Sequence, residues 1–236
     1  MNAAHHATEK LNAELNNSEK LREYKATYDD YRPSFLPRAL GTFLVWAGNI
    51  VYGHQPSYLK FRAVEVIARV PYHSWSSAAF TWLTIFYTDE KNAVKYSKIA
   101  HFSEHAQENE TMHVVVISQL AKGRERAGAF RHTFIPMLFA FFYFWMSYFL
   151  YIINTRYSYE LNYMFENHAF EQYNEFLEMN ANVLKDTKLE SEFLTWYGRQ
   201  FDNHYDFFVS VRNDEIIHRN QSIEEIERLR AEKTAV

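Results

Sequence analysis

The 236-residue chain contains no cysteine, which excludes disulfide scaffolds, thiolate zinc sites, iron–sulfur clusters and cysteine nucleophiles. Any metal must rest on histidine and carboxylate. Glycine and proline are scarce, six and five residues, so few turns punctuate the chain and the intervals between them are helix-sized. Positive charge is not in excess: 25 Lys and Arg stand against 29 Asp and Glu, a net charge of −4. No basic field exists to hold nucleic acid, and no nucleic-acid partner is expected. Neither an alternating strand pattern nor an internal repeat is present. The length suits one domain with a substantial core. Aromatics are abundant: 20 Phe, 17 Tyr and 5 Trp make 18% of the residues, yet mean hydropathy is only −0.41. That pairing predicts a polar body carrying an apolar patch.

Residues 1–36 are polar at first, with Leu11, Leu15, Leu21, Tyr24 and Tyr28 as the sizeable apolar groups before position 31, and read as a mobile arm. Glu9, Glu14 and Glu19 argue against a transit peptide, and no apolar signal core follows Met1, so a protein made without a cleaved presequence is expected. Residues 37–220 form the main domain. Within it the pattern predicts helices near 37–52, 57–87, 90–122, 130–155, 157–184 and 189–219, with Pro71 and Pro136 as kinks or first-turn residues and Gly53, Pro56, Gly123 and Gly128 at boundaries. Ser222 and Glu225 resemble a capping box opening a charged tail over 221–236.

Chemistry enters with two E-x-x-H segments, Glu110-Thr-Met-His113 and Glu215-Ile-Ile-His218, each inside a helical pattern. Residues three apart share a helix face about 5–6 Å apart at Cβ, so each pair offers a carboxylate oxygen and an imidazole nitrogen to one point. One such segment also occurs on ordinary solvated helices; two on separate long helices form a stronger signal. A ferritin-like di-iron bundle further needs one Glu from each of two other helices. Glu65, in Leu59-Lys-Phe-Arg-Ala-Val-Glu-Val-Ile-Ala68, and Glu166, in Tyr163-Met-Phe-Glu-Asn-His-Ala-Phe170, are acids set in largely apolar stretches. Burying a carboxylate costs several kcal/mol unless it is paired or metal-bound. A shared metal site explains both. The predicted ligands are Glu65, Glu110, His113, Glu166, Glu215 and His218, on four helices of an all-α fold. Four carboxylates and two neutral imidazoles offset most of the charge of two ferric ions, and oxygen with imidazole suits iron or manganese.

The uncharged stretch from Thr133 to Thr155, rich in Phe, Tyr and Trp, is long enough to cross a bilayer. Crossing would put Glu110 and Glu166 on opposite sides, where they could not share metals. Monotopic attachment is therefore expected, with helices near 37–52 and 130–155 pressed into one leaflet and forming a membrane-binding face.

These residues resemble the alternative oxidase family of membrane-bound di-iron quinol oxidases, particularly its plastid and cyanobacterial terminal-oxidase branch. The resemblance covers about residues 58–219 and rests on Val64-Glu65-Val66 with Arg69-Val70-Pro71-Tyr72, Asn109-Glu110-Thr111-Met112-His113, Phe165-Glu166-Asn167-His168-Ala169-Phe170-Glu171, and Arg212-Asn213-Asp214-Glu215 with His218. Thr111, the Asn167-His168 pair and the Arg-Val-Pro-Tyr segment resemble the plastid-like branch rather than the mitochondrial one. The resemblance implies oxidation of a quinol, plastoquinol ahead of ubiquinol, with four-electron reduction of O2 to water at two irons and no proton pumping. It implies a redox or proton-donating role for Tyr173, which as a bare residue would be packing. Asn109, Asp214 and Trp196 are similar to the family's positions that hydrogen-bond behind the ligands. Arg38, Lys60, Val64, Ala169 and Gln172 fall at family-like quinol-binding positions, although Arg38 and Lys60 would serve equally beside anionic lipid. The family further implies a homodimer on the cytoplasmic or stromal face of a thylakoid or plasma membrane. Two other readings stay open: a di-iron hydroxylase acting on a lipid-soluble ring, which would leave oxygen label in its organic product, and a non-enzymatic ferritin-like metal-binding protein, which would consume no oxygen when given quinol.

Overall fold

A computed structural model describes residues 3–122 and 126–234. The helices are α1 (Ala3–Glu14), α2 (Ser18–Ala26), α3 (Phe35–Tyr52), α4 (Tyr58–Ala68), α5 (Val70–Phe86), α6 (Glu90–Ala121), α7 (Ile135–Ile153, preceded by a π-helical turn over Phe130–Phe134), α8 (Thr155–Asp186), α9 (Glu192–Tyr197) and α10 (His204–Thr234). No strand occurs among the described residues, so the all-α expectation holds. The expected boundary at Gly123 lies outside the described residues. The chain divides into two compact units: Met1–Ile50 with His54–Pro56 and Tyr159–Val236, and Val51–Gly53 with Ser57–Ser158.

In the second unit α4 and α5 each pack against α6 and α7. The buried residues of α6 include Ile99, Ser103, Ala106, Glu110, His113, Ile117 and Ala121, a stripe at intervals of three and four that faces the core. Trp75 anchors this unit: its ring lies 5.1 Å from Tyr72 and 6.0 Å from Tyr151, and its indole N–H donates to Ser158 at 2.7 Å. The single helix expected over 57–87 is two. The chain turns at Arg69, and Pro71 sits in the first turn of α5, where its missing N–H breaks no intrahelical bond.

In the first unit α8 presents Tyr159, Tyr163, Glu166, Phe170, Tyr173 and Leu177 as one buried face. At Gly41 of α3 a Cβ would lie 3.0 Å from Sδ of Met164, so glycine lets α3 approach α8 closely. The helix expected over 189–219 is replaced by the short α9, a turn and α10. Gly198 ends α9 with φ of 95°, a left-handed conformation that costs an L-residue about 1–2 kcal/mol. Gly198→Ala should lower the urea midpoint by a corresponding amount; an unchanged midpoint would show that the turn relaxes.

Two boundaries need correction. The tail expected over 221–236 is not separate, because α10 runs unbroken through Ser222. The Ser222 hydroxyl donates to the His218 carbonyl at 3.0 Å and accepts from Asn162 at 3.1 Å, so it is used inside a helix rather than as a cap. The N-terminal arm is not a mobile extension either: α1 and α2 pack against α10, and Leu15 is 2% exposed. Its few leucines suffice because α1 and α2 bring them together: Leu11, Leu15, Leu21 and Tyr24 gather in one cluster. Beyond it, Glu160 of α8, fully buried, accepts from the Tyr31 hydroxyl at 2.8 Å and the Ser34 amide at 3.0 Å, which fixes the entry into α3.

Candidate metal centre

Each unit carries three of the six expected ligands. In the second unit, Glu65 from α4 meets Glu110 and His113 from α6. Each of the three offers a donor atom within 4.8 Å of the others, and their exposures are 2%, 0% and 0%. Nδ1 of His113 lies 3.6 Å from Oε2 of Glu65 and 3.5 Å from Oε2 of Glu110. Those separations exceed good hydrogen bonds. They approach the roughly 3.0–3.5 Å expected between two donors that each sit about 2.1 Å from one ion.

In the first unit, Glu166 of α8 and His218 of α10 bring donor atoms within 4.8 Å of each other. Glu215 lies one turn before His218. All three are buried, at 2%, 3% and 0% exposure respectively. Each unit therefore supplies two carboxylates and one imidazole, all but removed from water. Concentrating carboxylates in low dielectric raises the energy of their charged forms, and a divalent or trivalent cation is the charge that relieves it. Oxygen and imidazole donors without sulfur fit iron or manganese.

The residues expected around the ligands divide in their placement. Tyr173 is fully buried on the Glu166 face of α8, two turns on, with its ring 6.0 Å from that of Phe208. Asn109 is 3% exposed beside Glu110. Asp214 is fully buried and accepts from Nδ2 of Asn12 at 2.6 Å and from Nη2 of Arg199 at 3.1 Å. Trp196 must be corrected: it is 76% exposed on α9, with its ring 5.1 Å from Phe193. The short α9 ends at Gly198 and turns this indole to the surface. Of the expected quinol positions, Arg38, Ala169 and Gln172 belong to the first unit, Lys60 and Val64 to the second. Arg38 borders a shallow groove of about 450 Å³ with Phe35, Thr42, Phe43 and Trp46. Gln172 donates to Glu175 at 3.2 Å. Lys60 is 5% exposed in the first turn of α4, behind the Ser57 cap.

The alternative oxidase family model matches residues 38–224. The chain belongs to the alternative oxidase family. The family's fold, a di-iron helical bundle, accounts for four helices that each bring a buried Glu. Among curated proteins, ubiquinol oxidase 4, chloroplastic/chromoplastic, from Arabidopsis thaliana is 29% identical over 182 residues, 69% of this chain. The chain spans 49% of that relative's length. No solved structure matches.

Several residues that matter here gave no signal in the sequence. Arg199, 7% exposed, joins Asp214 to Glu9. Burial works against its charge, but the two carboxylates outweigh it and raise its pKa. Arg219, fully buried beside His218, donates to Asp29 at 2.7 Å and to Asn167 at 3.0 Å. Glu9, Asn12 and Asp29 look in sequence like ordinary solvated polar residues, and only their long-range partners distinguish them.

Proposed function

We propose that Glu65, Glu110, His113, Glu166, Glu215 and His218 together hold two iron ions. The reading rests on one observation: both units bury the same donor set, two carboxylates and an imidazole, on helices that the family joins in one bundle. Bound there, iron supplies the redox capacity to pass a quinol's electrons to O2. Oxidation of two quinols releases four electrons and four protons, which match the reduction of one O2 to two waters. Four ionised carboxylates bring a −4 charge, which would balance two ferrous ions and leave +2 on two ferric ions. Tyr173, screened from water on the Glu166 face, would act as a redox partner or proton donor to the reaction. Asn109 and Asp214 orient the two E-x-x-H turns.

The substrate is a quinol, plastoquinol in first place, oxidised without proton pumping. Arg38, Lys60, Val64, Ala169 and Gln172 are the positions that receive it. Membrane attachment is monotopic. Phe130–Ile153 is long and apolar enough to cross a membrane, and only 22% of its apolar window is buried. Phe142, Trp145 and Phe149 stand exposed along α7, and Phe43, Trp46 and Ile50 along α3. Lying in one leaflet satisfies these faces while leaving Glu110 and Glu166 on the same side. A homodimer on the stromal or cytoplasmic face completes the reading.

Two measurements test it. Purified, iron-loaded protein should consume O2 when given plastoquinol or ubiquinol analogues, with ¹⁸O₂ label entering water and none entering the quinone. Label in the organic product would favour a hydroxylase, and no uptake with any quinol would favour a non-enzymatic metal protein. Replacing Phe142, Trp145 and Phe149 with Ser should weaken binding to liposomes at least about tenfold, since each buried aromatic is worth roughly 1.5–3 kcal/mol. Unchanged binding would remove α7 from the membrane.

A further inference from the structure

On α10 the ligands Glu215 and His218 sit in an unbroken buried run, residues 213–220. A helix buried on every side needs a second surface behind the ligands, and here that surface is the N-terminal segment. Leu15 packs with Ile216 and Ile217, the two residues between the ligands, and with Phe170; Leu11, Leu21 and Tyr24 close around them.

Polar contacts fix the same turn from both ends. Before the ligands, Asn12 Nδ2 donates to the Ser210 carbonyl at 2.8 Å and to Asp214 at 2.6 Å, and Asn213 Nδ2 donates to the Asn12 carbonyl at 2.9 Å. Arg199 ties Asp214 to Glu9, donating to Glu9 from Nε at 2.8 Å and from Nη2 at 2.7 Å. After the ligands, Arg219 donates to Asp29 at 2.7 Å and Asn220 donates to the Tyr24 carbonyl at 2.8 Å. Arg219 also reaches Asn167 at 3.0 Å, the neighbour of Glu166, so the turn of α8 that carries the third ligand is held in the same register.

We infer that residues 9–29 are a clamp that sets the rotation of α10, with Arg199 as its buried positioning residue, so that metal retention at Glu215 and His218 depends on residues about 200 positions earlier. The magnitudes favour positioning over plain support. A rotation of about 20° moves an atom at a side-chain radius of 5–6 Å by roughly 2 Å, whereas metal–ligand distances tolerate about 0.2 Å. A loosened clamp would therefore lose metal well before it lost the helix.

The inference rests on the proposed metal centre, and the test separates the two. Full-length wild type, Glu9→Gln and Asn12→Ala are loaded with Fe(II). Iron per chain, chelator competition and the thermal midpoints of apo and loaded protein are then measured. Wild type should hold two irons. Both variants should keep wild-type helical circular dichroism, bind iron at least about tenfold more weakly, and narrow the gap between loaded and apo midpoints; Glu9→Asp should restore part of the affinity. Iron affinity equal to wild type in Glu9→Gln would overturn the clamp while leaving the metal centre intact, as would apo and loaded midpoints falling by equal amounts. That variant replaces a single carboxylate with an amide, so it carries the test even if Asn12→Ala fails to fold. Wild type that binds no iron would overturn the metal centre itself, and the clamp with it.

Discussion

Glu110→Ala and Glu215→Ala should each abolish quinol-dependent oxygen uptake and reduce the iron bound per chain. Both carboxylates are fully buried, and each shares a helix turn with the imidazole that would complete its half of the centre. Losing a residue that merely supports a ligand costs about 10–100-fold in affinity or activity, so losing a ligand should cost at least roughly 100-fold. Misfolding is separated from metal loss by Glu215→Gln, which keeps the shape and removes the charge. Without metal that variant should be as stable as wild type or more so, because it relieves repulsion among neighbouring carboxylates. It should nevertheless be inactive. An active, iron-replete Glu215→Ala protein would contradict the assignment of α10 as a ligand helix.

Removing the metal should have the second largest effect. A loaded centre would stabilise the folded chain by mass action, about 4 kcal/mol when free metal stands a thousandfold above its dissociation constant. For a chain of this size each kcal/mol shifts the midpoint by roughly 2–4 °C. Chelation should therefore lower Tm by about 10 °C, and re-addition of Fe(II) should restore it. Scanning calorimetry on the same sample before and after chelation gives the answer. A midpoint indifferent to chelator would mean that the six buried groups hold no ion in common.

What the sequence made legible was whatever had a short spacing. Glu110 with His113, and Glu215 with His218, are recognisable because a helix puts positions three apart on one face, and Glu65 and Glu166 because acids are costly in apolar surroundings. The structure buries all six. Local signals failed where a distant partner overrode them. Ser222 and Glu225 fit a helix start, yet the Ser222 hydroxyl is drawn to Asn162 and to the preceding turn, and the helix continues. Glu9 and Asn12 resemble solvated residues, and the segment around them is too polar to suggest a packed element. Their partners, Arg199, Ser210 and Asp214, lie 190 to 202 positions away, beyond any periodicity. Only family likeness points to Trp196, and a six-residue helix ending at Gly198 puts it at the surface.

The proposed function stands on a pair of irons, and ⁵⁷Fe Mössbauer spectroscopy of the loaded, full-length protein addresses that pair directly. The account predicts two irons per chain in oxygen and imidazole surroundings, magnetically coupled in the oxidised state and both reduced by added quinol. A single uncoupled iron, or iron that quinol leaves oxidised, would contradict it.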